Sequence, residues 1–368
     1  MQKLLSVIIP TYNMEVLLPQ CIDSVVLVDE AIRESMQVIV VNDGSKDASS
    51  VVAHEYEKKY PDVVCVIDKE NGNYGSCINA ALPIVRGKYV KVLDADDSFE
   101  TENIPSFLNV LDNYDVDMVL TECVHVDCDG HFVGQYSYKE KYPNDTAFKF
   151  GTIVSQSRYG RDIQMHCITY NAKVFDAIDY HQTEGISYTD YEWTFYPMEK
   201  VNEVYFHSSV IYKYLVDRDG QTMTPVVFQK KINERNRILI RSIEKFELMQ
   251  KDESHMDYFS DKISFQLHLL YYGTIIQGIY SEDLLSVFDK QLKSLSPYFY
   301  NLVSHWTLYP TSKYEYVKGW RMGFMSYIVR YGSFRALSDA CDEGLVKSKM
   351  ISMLVNKLNA IACALRAH

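Results

Sequence analysis

Asp94-Ala95-Asp96-Asp97 puts three carboxylates within four residues, directly after the apolar run Tyr89–Leu93. Like charges this close repel one another unless a cation neutralises them. In extended backbone Asp94 and Asp96 point to the same side. Hard divalent ions take oxygen ligands of this kind and often keep phosphate oxygens in their shell, so the cluster predicts a divalent-metal site. The other reading is a solvated acidic loop with an aspartate capping a helix. Position favours the metal, because the cluster closes a buried strand, and ligands of open parallel sheets bind outside the carboxyl ends of strands.

Polar residues close the neighbouring strands in the same way. They are Pro10-Thr11-Tyr12-Asn13, Asn42-Asp43-Gly44-Ser45 and Asn71-Gly72-Asn73-Tyr74-Gly75. Glycines in two of these turns let the backbone approach a ligand closely. Four polar segments thus converge on one edge of a sheet.

The elements that position them follow from hydrophobic period. Leu4–Pro10, Gln37–Val41, Val63–Ile67 and Tyr89–Leu93 are apolar runs, as buried parallel strands read. Between them Leu18, Cys21, Ile22, Val25 and Val26 recur at helical spacing, Asp47 caps a helix running to about Tyr60, and Ser76–Val85 makes a third. Strand and helix alternating in units of about thirty residues predict an α/β fold with a mostly parallel, Rossmann-like sheet and helices on both faces. After Asp97 a hairpin is expected from Met118–His125 and His131–Tyr136 around Cys128-Asp129-Gly130. Residues 136–162 read as loop, Tyr188–Met198 as helix and Val204–Tyr214 as strand. From about 225 the pattern is helical, notably over Val226–Gln250 and Ile263–Ile276. The expected domains are 1–224, with a nucleotide-binding half 1–105 and an acceptor half 106–224, and a helical domain 225–368.

Composition bounds the partners. With 368 residues, 47 % hydrophobic and 23 % charged, a sizeable core is expected, and the net charge of −12 argues against nucleic acid. Eight scattered cysteines without a C-x-x-C pair fit a reducing cytosol. Met1 leads straight into a strand, so no signal peptide is expected, and the longest apolar stretch, Phe265–Tyr280, is too short and polar to span a membrane. A cytoplasmic protein, or one peripheral at the inner membrane face, is expected. Residues 345–368 lack acids and carry Lys347, Lys349, Lys357 and Arg366 beside a helical apolar stripe. That helix suits anionic lipid, and equally packing on the domain or in a homo-oligomer interface.

Taken together, Ser6–Asn13, Val38–Ser45 with Asp47, Asn71–Ala80, and Gly87–Val90 leading into the Asp-x-Asp resemble the family 2 glycosyltransferases of the GT-A fold. The resemblance covers residues 1–105 well and thins towards 223. It implies an inverting transfer from a nucleotide-diphosphate sugar, commonly a UDP-sugar, to a hydroxyl of a glycan or lipid-linked acceptor in bacterial surface-polysaccharide or cell-wall glycan synthesis. By the same resemblance Pro10, Thr11, Tyr12 and Asp43 hold the nucleoside, Asn71, Gly75 and Asn79 line the donor pocket, Asp94 contacts nucleotide or sugar, and Asp96 binds Mn2+ or Mg2+. Gly75 and Asn79 also read as packing or capping residues. The general base is Asp190, at a helix start where relatives carry an acidic pair; Thr189 replaces the first acid, and Glu192 is a rival. Arg218 and Thr222 match a loop that closes over the diphosphate in some relatives, or form an ordinary turn. His207, alone on an apolar strand, reads as structural.

Other classes fit less well. Nucleotidyl transfer and dehydrogenase folds want a glycine-rich loop after the first strand, where Pro10-Thr11-Tyr12-Asn13 stands. An inactive carbohydrate- or nucleotide-binding scaffold of the same fold survives only through the Thr189 departure.

Overall fold

Four apolar runs make the first four strands: β1 (Lys3–Thr11), β2 (Met36–Asp43), β3 (Val64–Lys69) and β4 (Gly87–Val92). They pair in parallel in the order β3-β2-β1-β4, with Leu5 opposite both Met36 and Tyr89. The computed structural model describes residues 3–156, 163–216, 231–307 and 315–323. Crossover helices are α1 (Leu18–Val26), the short α2 (Glu30–Glu34), α3 (Ser49–Lys59) and α4 (Asn73–Ala81). The apolar face expected of α1 is fully buried. Asp47, expected to cap α3, stands one residue before its N-cap Ala48, and its Oδ1 accepts the Ser49 N–H at 3.0 Å. Helix α4 starts three residues earlier than the sequence suggests and gives way to a 3-10 turn at Leu82–Ile84, since Pro83 supplies no N–H.

The sheet then turns mixed. Next come β5 (Ser98–Phe99), α5 (Ile104–Asn113), β6 (Met118–Val126), β7 (Phe132–Tyr136), β8 (Thr146–Lys149), α6 (Gly151–Gln156), β9 (Ile168–Asn171), α7 (Lys173–Asp176), α8 (Asp190–Trp193) and β10 (Glu203–Leu215). The order continues β4-β9-β6-β10-β5, with β7 on β6 and β8 on β10. Strand β9 runs antiparallel to both β4 and β6, whereas β6 and β10 are parallel. The expected hairpin is β6–β7. Two expectations fail here. The stretch read as loop contains β8 and α6, and β8 gave no alternation because only Phe148 of its residues is even half-buried. The helix expected over 188–198 shrinks to α8, because Pro197 commits the adjoining residues to a 3-10 turn.

Compactness divides the chain into residues 1–263 and 264–368. The first unit holds the sheet and α9 (Ile232–Leu248); α10 (Glu253–Ile275) begins in it. The second contains α11 (Glu282–Leu295), α12 (Pro297–Ser304) and α13 (Tyr316–Arg321). Its buried node is Asp289, which accepts the Tyr271 hydroxyl and the Arg321 guanidinium, both at 2.6 Å. No helix of the described residues is long and apolar enough to cross a membrane.

Candidate active site at the carboxyl ends of the strands

The ends of β1 and β2 are stitched together. Asn13, in the left-handed region at φ 54°, donates its N–H to Ser45 Oγ at 3.0 Å and accepts the Lys46 N–H at 2.7 Å. Pro10 and Thr11 are buried, whereas Tyr12 is 45 % exposed, its ring presented at the strand end. Asp43 is buried, and its Oδ1 accepts the Lys69 ammonium at 2.7 Å and the Gly72 N–H at 2.9 Å. Asn71 donates its side-chain amide to the Asp43 carbonyl at 2.9 Å. Gly44 has φ 69°, and a Cβ there would stand 2.9 Å from the Asn71 nitrogen, so the turn requires glycine. In the next turn Asn73 at φ 64° takes the left-handed position, not Gly72.

Gly75 and Asn79 both hold segment 182–185 against α4. A Cβ on Gly75 would meet the Thr183 carbonyl at 2.4 Å. Asn79 donates to the Gln182 carbonyl at 3.0 Å and accepts its N–H at 2.9 Å.

The acidic segment is a turn, not extended backbone: the Asp97 N–H donates to the Asp94 carbonyl at 2.9 Å. The alternation that would align Asp94 with Asp96 is therefore broken, and the geometry groups Asp94 with Asp97. Asp94 Oδ1 accepts the Tyr74 hydroxyl at 2.7 Å, and its Oδ2 lies 3.7 Å from His166 Nε2. Asp97 is buried and accepts the Tyr212 hydroxyl at 2.6 Å and the Leu215 N–H at 2.7 Å. One ligand atom from each of Asp94, Asp97 and His166 lies within 4.8 Å of the others. Asp96 is half-buried and is not one of that trio. Burial, then the charges of Asp94 and Asp96, push the Asp97 carboxyl well up. Burial alone would lower the His166 imidazole, but the Asp94 carboxylate outweighs it and the net shift is upward. His166 Nδ1 is buried without a partner. Two mutually repelling carboxylates with an imidazole fit a divalent cation, and the nitrogen donor suits Mn2+ better than Mg2+.

Asp190 opens α8, behind the buried Thr189. Its side chain is open to solvent, yet the protein packed around it pushes its carboxyl up; His166 and Lys262 act against that shift and Asp94 with it. Asp190 and the acidic turn therefore share one electrostatic field. The rival Glu192 is wholly buried, its oxygens occupied by the Arg241 guanidinium at 2.9 Å and by the Thr183 N–H and hydroxyl at 2.7 and 2.9 Å. It cannot reach an external substrate. His207 stacks on Phe107 and pairs with Asp145 through Nδ1 at 3.2 Å, away from the acidic turn. Arg218, Thr222 and the basic segment 345–368 lie outside the described residues. Sequence reasoning missed His166 and Tyr212, which only strand pairing brings to the turn; Tyr74 stands within one of the polar strand-end segments, but nothing local marks it as a partner of Asp94.

Residues 6–178 match the sequence profile of Glycosyl transferase family 2. Among curated relatives, the minor teichoic acid biosynthesis protein GgaB of Bacillus subtilis is 36 % identical over 117 residues, covering 31 % of this chain and 13 % of the relative. The poly(ribitol-phosphate) beta-glucosyltransferase of Bacillus spizizenii is 28 % identical over 227 residues, covering 60 % of this chain and 33 % of the relative. The matches span from 13 % to 38 % of the length of the first four such relatives. Among solved structures, S. aureus TarS 1–349 in complex with UDP-GlcNAc superposes with a TM-score of 0.59 at 21 % identity, covering 79 % of this chain and 80 % of that one. At that identity the likeness is one of fold.

Proposed function

We propose, for a chain that belongs to the family 2 glycosyltransferases and has their GT-A fold, that it transfers a sugar with inversion from a nucleotide-diphosphate donor, a UDP-sugar, to a hydroxyl of a glycan or lipid-linked acceptor. The observation that carries this reading is the shared field of Asp94, His166 and Asp190 at the carboxyl ends of the strands.

The acceptor hydroxyl attacks the anomeric carbon from the face opposite the diphosphate, and its proton passes to the Asp190 carboxylate. The bond from anomeric carbon to diphosphate oxygen breaks, and the nucleoside diphosphate leaves with the electron pair. An exposed carboxylate whose proton affinity is raised by its surroundings suits that base role. Pro10, Thr11, Tyr12, Asp43 and Asn71 take the nucleoside, with Tyr12 as the exposed ring on which a base can stack. Gly75 and Asn79 shape the donor pocket through segment 182–185. Asp94, Asp97 and His166 by geometry, and Asp96 by its motif, would hold Mn2+ or Mg2+. Such an ion, when bound, offsets the charge on the departing diphosphate. The names of the Bacillus relatives support a setting in teichoic-acid-type glycan assembly at the inner membrane face.

Incubation with UDP-, GDP-, CDP- and dTDP-sugars plus Mn2+, repeated with EDTA and with Asp96→Ala and His166→Ala, tests the reading. Metal-dependent thermal stabilisation and nucleotide release with one donor class, weakened in the variants, is the expected result. No response to any nucleotide sugar with metal present would sink it.

A further inference from the structure

Lys262, on α10, is a buried cation, 7 % exposed, with no carboxylate in ion-pair reach among the described residues. Its ammonium donates to Thr194 Oγ1 at 2.7 Å and lies 5.6 and 5.7 Å from the ring centres of Tyr191 and Tyr258. Thr194 ends α8: its N–H donates to the Asp190 and Tyr191 carbonyls at 3.2 Å, and its hydroxyl donates to the Tyr191 carbonyl at 3.0 Å. The lysine thus braces the far end of the single turn that Asp190 begins.

A buried ammonium is costly unless something nearby benefits from its charge. Burial lowers Lys262 to about 7, and the one carboxylate that acts against this is Asp190. The charged groups around Asp190 are His166 and Lys262, which favour its ionised form, and Asp94, which opposes it. The hydroxyls of Tyr74 and Tyr214 also lie in the Asp190 field.

We propose that Lys262 is a positioning residue for Asp190, braced on Thr194 so that its fixed ammonium holds α8 and favours the carboxylate that takes the acceptor proton. This rests on the reading of Asp190 as the base. The ammonium is charged below about pH 7.

Nucleotide release from UDP-N-acetylglucosamine and UDP-glucose, with Mn2+ and water as acceptor, is followed against pH in the full chain. Lys262→Met is expected to move the acidic limb up by about one pH unit, with about a tenfold lower rate below it. Lys262→Arg keeps the parent limb, and thermal stabilisation by UDP stays as in the parent for both. A lysine that only packs would lower the plateau and leave the limb in place; that result overturns the proposal. Should Lys262→Met not fold, Thr194→Val decides, because it removes the brace and keeps the charge: a displaced limb supports the proposal and an unmoved limb overturns it. Asp190→Asn separates the two ideas. If it still turns over within about tenfold of the parent rate, the base assignment fails and the proposal with it. If it is inactive and the Lys262→Met limb is unmoved, only the proposal fails.

Discussion

The Tyr212 hydroxyl joins the two ends of the acidic turn, accepting the Asp94 N–H at 3.1 Å and donating to the Asp97 carboxylate at 2.6 Å. Tyr212→Phe removes both bonds and should cost about 1–3 kcal/mol. The loss depends on pH. Asp97 is raised above its unfolded value, so the native state holds its proton more tightly, and this group's contribution to stability falls as pH rises from about 4 through its folded value. The Tyr212 bond favours the ionised form and moderates that fall. Urea midpoints of parent and variant should therefore diverge more at about pH 8 than at about pH 5. A constant gap would refute the coupling.

Gly75→Ala places a methyl 2.4 Å from a backbone carbonyl, which cannot swing aside as a flexible side chain would. A loss of about 1–3 kcal/mol is expected in denaturant titration, together with weaker donor binding as segment 182–185 shifts. Gly134→Ala is the control, since its new Cβ would meet only the His125 ring at 3.7 Å, and it should be close to neutral.

The two acids of α8 should separate by phenotype. Arg241→Met leaves Glu192 buried without its cation and should cost about 2–3 kcal/mol, the partial exposure of Arg241 limiting the loss. Asp190→Asn, on the open side of the same turn, should leave the urea midpoint within about 0.5 kcal/mol of the parent. Equal destabilisation by both would remove the distinction between a structural and a reactive carboxylate.

His54 sits between Asp68 at 2.7 Å and Glu57 at 2.8 Å, and hydrogen bonds to Asp68, then Glu57, raise it above the ordinary histidine value. The resulting stability is present below about pH 6.5 and disappears as pH rises through the folded value. His54→Gln should lose about 0.5 kcal/mol at about pH 5.5 and nothing at about pH 9, the site being half open to solvent.

How much of this could be read from the chain depended on which faces of a strand are buried. Strands β1 and β2 are covered on both faces and announce themselves as apolar runs ending in polar turns. Strand β8 is mostly exposed and carries no pattern. The carboxylates were visible as a motif, but their partners were not. Extended backbone was the wrong premise for Asp94 and Asp96, since the chain turns there and Asp97 comes round instead. His166 lies 72 residues from Asp94 along the chain and reaches it only because the segment before β9 is carried into the sheet beside β4. No local period encodes a pairing of that kind. Lys262 reads in the sequence as one polar residue at the edge of a helical stretch, and only the fold brings its ammonium to Thr194 at the end of α8.

The reversed strand β9 also sets an order of assembly. Strands β1 to β4 are contiguous in the chain and can pair as they leave the ribosome. The facing edges of β4 and β6 stay open until residues 168–171 emerge to fill the gap between them, and the acidic turn lacks Tyr212 until later still. The half built on β1 to β4 can thus form early, whereas the acidic turn is completed only once residues up to about 215 have been made. A nascent chain paused before β9 would expose unpaired strand edges on β4 and β6, and that stage is where association with other chains threatens it most.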